Sequence, residues 1–442
     1  MAFATALAGS RLSGNIWILT FYKTIMINLQ TIKQDFPIFT HHPDLVYLDS
    51  AATALKPQTV IDAEKDYSEQ YSSNVGRGLY PLAETATEKF EAVRMQTARF
   101  IGAESSEEII FTSGTTGSIN LAAELLAPGI KPGDNIVVTE MEHHSNYLPW
   151  KELAKRCGAA LHIVPITKDG IIDIETLKNS IDRHTKIVAF SAVSNVLGTI
   201  NPVEKFVAAI QDINPQTIVL IDAAQATPHM PIDISLWGAD FVAFSGHKMF
   251  GPTGVGVLYG KKTLLEMLRP VTFGGGMVLD ACAENTRYRE IPYRFEAGTP
   301  NISGVIALGA AIEYIENIGC ENIRTHEEAL TAYALKRLQE TFGDAIRIIG
   351  PRDAEKRGGI IAFSFDGIHP HDIAQILGEQ GICVRAGEHC AAPLHRKFGL
   401  NATTRVSLSI YNDKSDIDKL IESLQHIQGM FSNKKSKITS SK

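Results

Sequence analysis

The stretch DFVAFSGHKMFGPTG, residues 240–254, joins a short apolar run to a turn built of glycines, a histidine, a lysine and a proline. So short a run, ended by glycine, reads as a strand buried on both faces rather than a helix. Lysines are ordinarily solvated surface side chains. Lys248 instead follows a buried strand, in a turn whose glycines let a ligand approach the backbone. A desolvated amine there has a lowered pKa and can form a Schiff base with an aldehyde.

The same pattern repeats outward from this stretch. EIIFTSG (108–114), DNIVVTE (134–140), ALHIVPI (160–166), KIVAFSAV (186–193) and TIVLIDAAQA (217–226) are apolar runs bounded by polar or glycine-rich turns. Amphipathic, helix-length segments such as TEKFEAVRMQTARFIGA (87–103), SINLAAELLA (118–127) and YLPWKELAKRCG (147–158) lie between or beside them. Strands alternating with helices predict βαβ units, an α/β fold and a mostly parallel sheet. After about residue 300 the character changes. Two long helical segments (307–319 and 327–343) precede RIIG, IIAFSF, a helix at 371–381, ICVRAG and RVSLSIYN, which predicts a second, α+β domain. A helix near 29–34 is expected to pack onto it.

With 442 residues, 44% of them hydrophobic, the chain can bury one large or two ordinary cores. Its 42 basic and 49 acidic residues leave a net charge of -7, and the one basic block is the tail SNKKSKITSSK (432–442). That argues against nucleic acid or an anionic membrane as the main partner. The five cysteines are far apart and form no CxxC pair, so neither a disulfide framework nor a zinc knuckle is indicated and a reducing compartment fits. The first 25 residues hold no acid, two bases (Arg11 and Lys23) and an apolar stretch too short to span a bilayer. They read as an over-extended start or a targeting segment ahead of MINLQTIKQDFPIF (26–39).

Ligands of open α/β sheets sit at the ends of the strands. After EIIF comes TSGTTGSIN (112–120), a small-residue turn opening a helix, whose free N–H groups suit a phosphate, although a plain strand-to-helix turn looks the same. After TIVLI come Asp222 and Gln225. An aspartate there is commonly a cap; it is also the fixed carboxylate a pyridinium nitrogen requires. Together with Lys248 these make a pocket for an aldehyde bearing a phosphate and a pyridine ring, which is pyridoxal 5′-phosphate.

From about Leu48 to Asn412 the chain resembles the class V aminotransferase-like family, and within it the cysteine desulfurases of the SufS and CsdA type. The resemblance is carried by YLDSAATALKP, GTTGSIN, MEHHSNYLPW, SNVLGT, DAAQA, FSGHKMFGPTG, RFEAGTPN, RAGEHCAAPL and RVSLSIYN, in the family's order and spacing. It implies a PLP-dependent transferase of fold type I, with a mostly parallel seven-stranded sheet in the large domain and a smaller α+β domain. The expected division is an N-terminal extension (1–25), an arm on the small domain (26–40), a large domain (41–313), a small domain (314–431) and a disordered tail (432–442).

Residue by residue, the resemblance implies that Lys248 carries pyridoxal phosphate, Asp222 pairs with the pyridine nitrogen and Gln225 with the ring oxygen. Thr116, Ser245 and His247 would hold the phosphate, with Thr299 reaching it from the other subunit of a homodimer. His143 would stack on the ring. Arg405, with Asn195 beside it and Arg385 nearby, would bind the carboxylate of L-cysteine, and Cys390 would accept the sulfur as a persulfide, leaving alanine. Arg385 and His389 lie close enough in sequence to favour the Cys390 thiolate. No metal is expected. The short loop before Cys390 resembles the type that hands its persulfide to a small acceptor protein of the SufE or SufU kind for iron–sulfur cluster assembly, in the cytoplasm. A selenocysteine lyase of the same fold is the alternative. A carrier using His143, His144, His389 and Cys390 as ligands is the rival from another class, and it would need neither Lys248 nor Asp222. Two positions depart from the family pattern: Gly117, where glutamate is usual, and Gly76, where histidine is common.

Overall fold

The computed structural model describes residues 29–439. The expected extension 1–25 lies outside the described residues, as do the last three residues of the tail. Seven strands form the large sheet: β1 (Ile109–Thr112), β2 (Asn135–Thr139), β3 (Ala160–Val164), β4 (Thr185–Ser191), β5 (Ile218–Asp222), β6 (Phe241–Ser245) and β7 (Gly256–Gly260). Their spatial order is β1-β7-β6-β5-β4-β2-β3. Only β7 runs antiparallel to its neighbours. The central strands are buried along almost their whole length, with Phe190 in β4 and Phe241 and Phe244 in β6 wholly enclosed. A sheet covered on both faces by helices requires this composition. The parallel strands therefore end at one edge, and the turns after β1, β2, β4, β5 and β6 converge there.

The second sheet has four antiparallel strands, β8 (Ile346–Ile349), β9 (Ile360–Phe365), β10 (Arg385–Gly387) and β11 (Thr403–Ser407), in the order β8-β9-β11-β10. ICVRAG is not one strand, as the sequence suggests. Ile382–Cys383 pairs with Val46–Tyr47, and the chain then changes partner so that Arg385 faces Arg405 on β11. The N-terminal segment reaches this region too: Lys33 bridges Asp413 and Asp416, and Phe36 packs edge-on against Tyr411, Tyr314 and Phe250.

The helix Ile302–Ile318 continues through the domain boundary expected at residue 313. The chain turns instead at Gly319, φ 86, where the axis bends by 73° into the helix Cys320–Phe342. The last helix runs Lys414–Thr439, so helix occupies most of the segment expected to be a disordered tail. No single helix among the described residues is long and apolar enough to cross a membrane.

Candidate active site

The edge where the parallel strands end holds a cavity of about 520 Å³. The turn after β1 supplies Thr115 and Thr116, that after β2 supplies His143 and Ser145, and that after β4 supplies Asn195. Asp222 and Gln225 follow β5; Ser245, His247 and Lys248 follow β6. The second sheet closes the other side with Arg385, Cys390 and Arg405. Of the residues expected at the site, all but Thr299 line this space. Thr299 is exposed on the loop before the Ile302–Ile318 helix.

Lys248 sits at the end of a one-turn helix, Gly246–Lys248, and the next turn fixes it. Phe250 adopts a left-handed φ of 63° although it is wholly buried. That conformation costs on the order of 1–2 kcal/mol for a residue with a Cβ. The ring cluster of Phe36, Tyr314 and Tyr411 around it holds the side chain in place. Burial lowers Lys248 to about 8, against the opposing pull of Asp222. The reverse holds for Asp222, whose pKa burial raises. Its Oδ1 accepts one backbone bond, from Ala224 at 3.0 Å. A cation or N–H donor against it would restore the charge that burial disfavours.

The phosphate-like corner is built at the start of the helix Thr115–Leu126, capped by Gly114 at φ 146. Ser245 Oγ accepts the Thr115 N–H at 2.7 Å and pairs with the Thr115 hydroxyl at 2.7 Å. This helix start can lie against β7 only because Gly256 has no side chain, since a Cβ there would stand 2.4 Å from the Gly114 Cα. Thr116 is exposed and bonds Ser145 Oγ at 2.7 Å. At Gly117, in the first helical turn, a Cβ would meet Ser113 Oγ at 2.7 Å, so the glycine keeps that turn tight against its neighbour. Gly76 has φ 96, a conformation that disfavours the histidine common at that position.

His143 is neutral, since burial lowers it to about 3 and Lys248 adds to the shift. Its Nδ1 accepts the Ser145 N–H at 3.0 Å, which puts the ring proton on Nε2. His247 is lowered to about 4 for the same reasons. Next to His143 in the chain is Glu142, 1% exposed, which takes four hydrogen bonds, from Thr139, Asn146 and both the hydroxyl and N–H of Ser191. Burial still pushes it up to about 7.

The sulfur side rests on a bent loop. His389 and Cys390 have φ of 50° and 56°, both left-handed, and Cys390 is exposed at the cavity. The His144 backbone N–H donates to the Cys390 carbonyl at 2.7 Å and its ring Nε2 accepts the Ala392 N–H at 3.3 Å, so this residue anchors the loop. Asn195 Nδ2 donates to the His389 carbonyl at 2.8 Å. The His389 ring does not take the role expected of it. It faces Thr403 Oγ1 at 2.9 Å and burial lowers it to about 2, so it is neutral and offers Cys390 no charge.

Arg405 is 3% exposed, donates from Nη1 to the Asn195 carbonyl at 2.9 Å and approaches Asp49 at 3.4 Å. Its Nε has no acceptor. Arg385 is ion-paired to the same Asp49 at 2.8 Å. Sequence reasoning passed over Asp49, Thr115, Ser145 and Glu142. Each stands inside or beside a quoted motif, but only the fold shows which neighbours it meets.

The geometry fits pyridoxal phosphate. Gln225 donates one Nε2 hydrogen to the Ala51 carbonyl at 2.8 Å, which leaves its second Nε2 hydrogen for a ligand oxygen, and its buried Oε1 has no partner among the described residues. A carboxylate short of partners, a lowered lysine, a neutral histidine and a helix start occupy the walls in the places such a molecule needs.

The chain is similar to known proteins along nearly its whole length. A probable cysteine desulfurase of Halalkalibacterium halodurans is 49% identical over 409 residues, covering 92% of this chain and 99% of its own. One from Streptomyces coelicolor is 46% identical over 415 residues, covering 92% and 98%. The crystal structure of the cysteine desulfurase CsdA of Escherichia coli, in its S-sulfonic acid form, superposes with a TM-score of 0.85 at 35% identity, over 91% of this chain and 99% of that one. The family model for aminotransferase class-V matches residues 46–420, the span that holds both sheets and every wall of the cavity, and the chain belongs to that family.

Proposed function

We propose that the chain is a cysteine desulfurase that uses pyridoxal 5′-phosphate and moves the sulfur of L-cysteine onto Cys390. The observation that carries this reading is that Lys248, Arg405 and an exposed cysteine on a strained loop face one cavity. The cofactor needs the first, the carboxylate of an amino-acid substrate calls for the second, and a sulfur acceptor needs the third.

Thr115, Thr116, Ser245 and His247 would hold the phosphate, Asp222 the pyridine nitrogen, Gln225 the ring oxygen, and Lys248 the aldehyde carbon, with His143 against the ring. Bound there, pyridoxal phosphate supplies an electron-withdrawing ring that takes up the electrons released when the Cα–H bond of an amino acid breaks. Arg405 binds the substrate carboxylate through its free guanidinium edge, with Asn195 fixing the approach. Lys248, at about 8, changes protonation state near neutral pH and so can take the Cα proton and return one. The neutral His143 ring, protonated on Nε2, has a hydrogen bond to offer without adding charge. Cys390 Sγ attacks the substrate sulfur. An S–S bond forms as the substrate Cβ–S bond breaks; the electron pair stays with carbon, which takes a proton and leaves as alanine. Cys390 keeps the sulfur as a persulfide.

Exposure of Cys390 at the cavity mouth suits transfer to a small acceptor protein of the SufE or SufU kind. Thr299, outside its own chain's cavity, suits a homodimer in which it completes the partner's phosphate site. The five free cysteines suit the reducing cytoplasm. The test is alanine release from L-cysteine, beside selenocysteine, by the protein loaded with pyridoxal phosphate. Cys390→Ala should lose the first activity and keep the second, since selenium leaves without a nucleophile. Equal alanine release from L-cysteine by wild type and Cys390→Ala rejects the reading.

A further inference from the structure

The turn that carries Cys390 is tied at three successive carbonyls, each by a different element. Asn195 Nδ2 donates to the His389 carbonyl at 2.8 Å and the His144 backbone N–H to the Cys390 carbonyl at 2.7 Å, both from turns of the large sheet. The third carbonyl, on Ala391, accepts from the helix Ala392–Lys397: from the His395 backbone N–H at 3.2 Å and from the His395 ring Nδ1 at 3.1 Å. His395 is wholly buried, as are Ala391 and Thr403, and all three lie behind the residues that line the cavity.

The protons on this cluster can be placed. A carbonyl only accepts, so His395 carries its proton on Nδ1. Burial lowers the pKa of this ring, which leaves it neutral with Nε2 as an acceptor. Nε2 faces the Thr403 hydroxyl at 3.1 Å, which therefore donates to it. The same oxygen lies 2.9 Å from His389 Nε2 and, its one hydrogen spent, accepts from that ring. His389 Nδ1 has no partner among the described residues, so Thr403 is the tie that holds the ring. The hydrogen bonds thus run from His389 through Thr403 and His395 to Ala391, and they bracket Cys390 on both sides.

The bend they bracket needs such support. His389 and Cys390 both hold a left-handed φ, 50° and 56°, which residues with a Cβ rarely adopt and keep only where the surroundings over-determine it. We infer that His395 and Thr403 are positioning residues for the sulfur-accepting thiol. They hold the 389–391 bend from behind and thereby keep Cys390 at the cavity wall. Among the described residues neither side chain hydrogen-bonds a group proposed to hold the cofactor or the substrate carboxylate. This rests on the reading of Cys390 as the sulfur acceptor.

The test is a ratio of two activities of the pyridoxal-phosphate-loaded protein: alanine release at saturating L-cysteine over alanine release at saturating L-selenocysteine. Both draw on Lys248, Asp222 and Arg405, and only the first draws on Cys390. His395→Leu keeps a similar volume without either polar atom. It should lower the ratio by about ten- to a hundredfold, the scale of a reacting atom misplaced by about an ångström. Thr403→Val keeps the shape, removes only the hydroxyl and should lower the ratio too; it carries the test alone if the leucine variant does not fold. Thr403→Ser restores the hydroxyl and should return the wild-type ratio. A loss shared equally by both substrates marks a general structural role and overturns the proposal, as does a ratio within about threefold of wild type in the variants that fold. A serine variant as low as the valine one also overturns it, since the hydroxyl is then not the tie. Wild type that forms no alanine from L-cysteine overturns the desulfurase reading and this proposal with it, whereas an active wild type with unaltered variants overturns this proposal alone.

Discussion

Replacing Arg405 isolates the substrate contact from the rest of the site. The guanidinium is almost wholly buried, spends Nη1 on the Asn195 carbonyl, makes one long contact with Asp49 and holds Nε without a partner. Nε, without a partner among the described residues, and the lightly held Nη2 together offer a carboxylate a two-pronged contact. Each charge-assisted hydrogen bond contributes about 1.5–3 kcal/mol. Arg405→Ala loses both, about 3–6 kcal/mol, which is roughly a 10²- to 10⁴-fold fall in kcat/KM. Arg405→Lys keeps the charge but gives up the fork, and should fall by roughly ten- to a hundredfold. The assay is alanine formation over a range of L-cysteine concentrations. Because the carboxylate does not change during the reaction, the loss should appear mainly in KM. Absorbance of the bound cofactor should be unaltered, since none of its holding groups has been removed. Arg405→Ala with kcat/KM within about threefold of wild type and an unchanged KM would refute the assignment.

Two further effects follow from burial. Lys248, lowered to about 8 from an ordinary 10.5, should capture pyridoxal phosphate faster as its amine loses its proton; the loading rate of cofactor-free protein should rise with pH and level off above about 8, whereas a rise continuing toward 10.5 would show an ordinary solvated lysine. Glu142, raised from 4.5 to about 7, retains its proton in the folded chain across that window. Its contribution is present below 4.5 and lost as pH rises through 7, by about 3 kcal/mol. Glu142→Gln should lack that slope, so denaturant unfolding of wild type and variant should converge or diverge with pH over this range. A constant difference would contradict the assignment.

Much of the scaffold was legible because its strands are buried on both faces. Such strands appear as unbroken apolar runs, and the residue after each run falls at the ligand edge by topology alone; Lys248 and Asp222 were accessible in this way, whereas Asn195 came from the resemblance. β7 was not. It is short, begins and ends in glycine, and inserts antiparallel between β1 and β6. Nor does a local pattern show that ICVRAG changes partner at Val384, since the pairing depends on Val46–Tyr47 more than three hundred residues away. Asp49 illustrates the limit for the site. A lone carboxylate in YLDSAAT carries no signal until the fold brings it to Arg385 and Arg405. His389 failed in the opposite sense. Proximity in sequence to Cys390 suggested a charge, but the left-handed bend turns its ring to Thr403 in a buried setting where imidazole stays neutral.

The central claim is that sulfur leaves L-cysteine for Cys390. Mass spectrometry of the loaded protein after brief exposure to L-cysteine, without reductant, reads this directly. The peptide holding Cys390 should gain the mass of one sulfur atom, in step with the alanine formed, while peptides holding Cys157, Cys282, Cys320 and Cys383 stay unchanged. Alanine formed with no sulfur on Cys390, or sulfur spread over the other four, would contradict it.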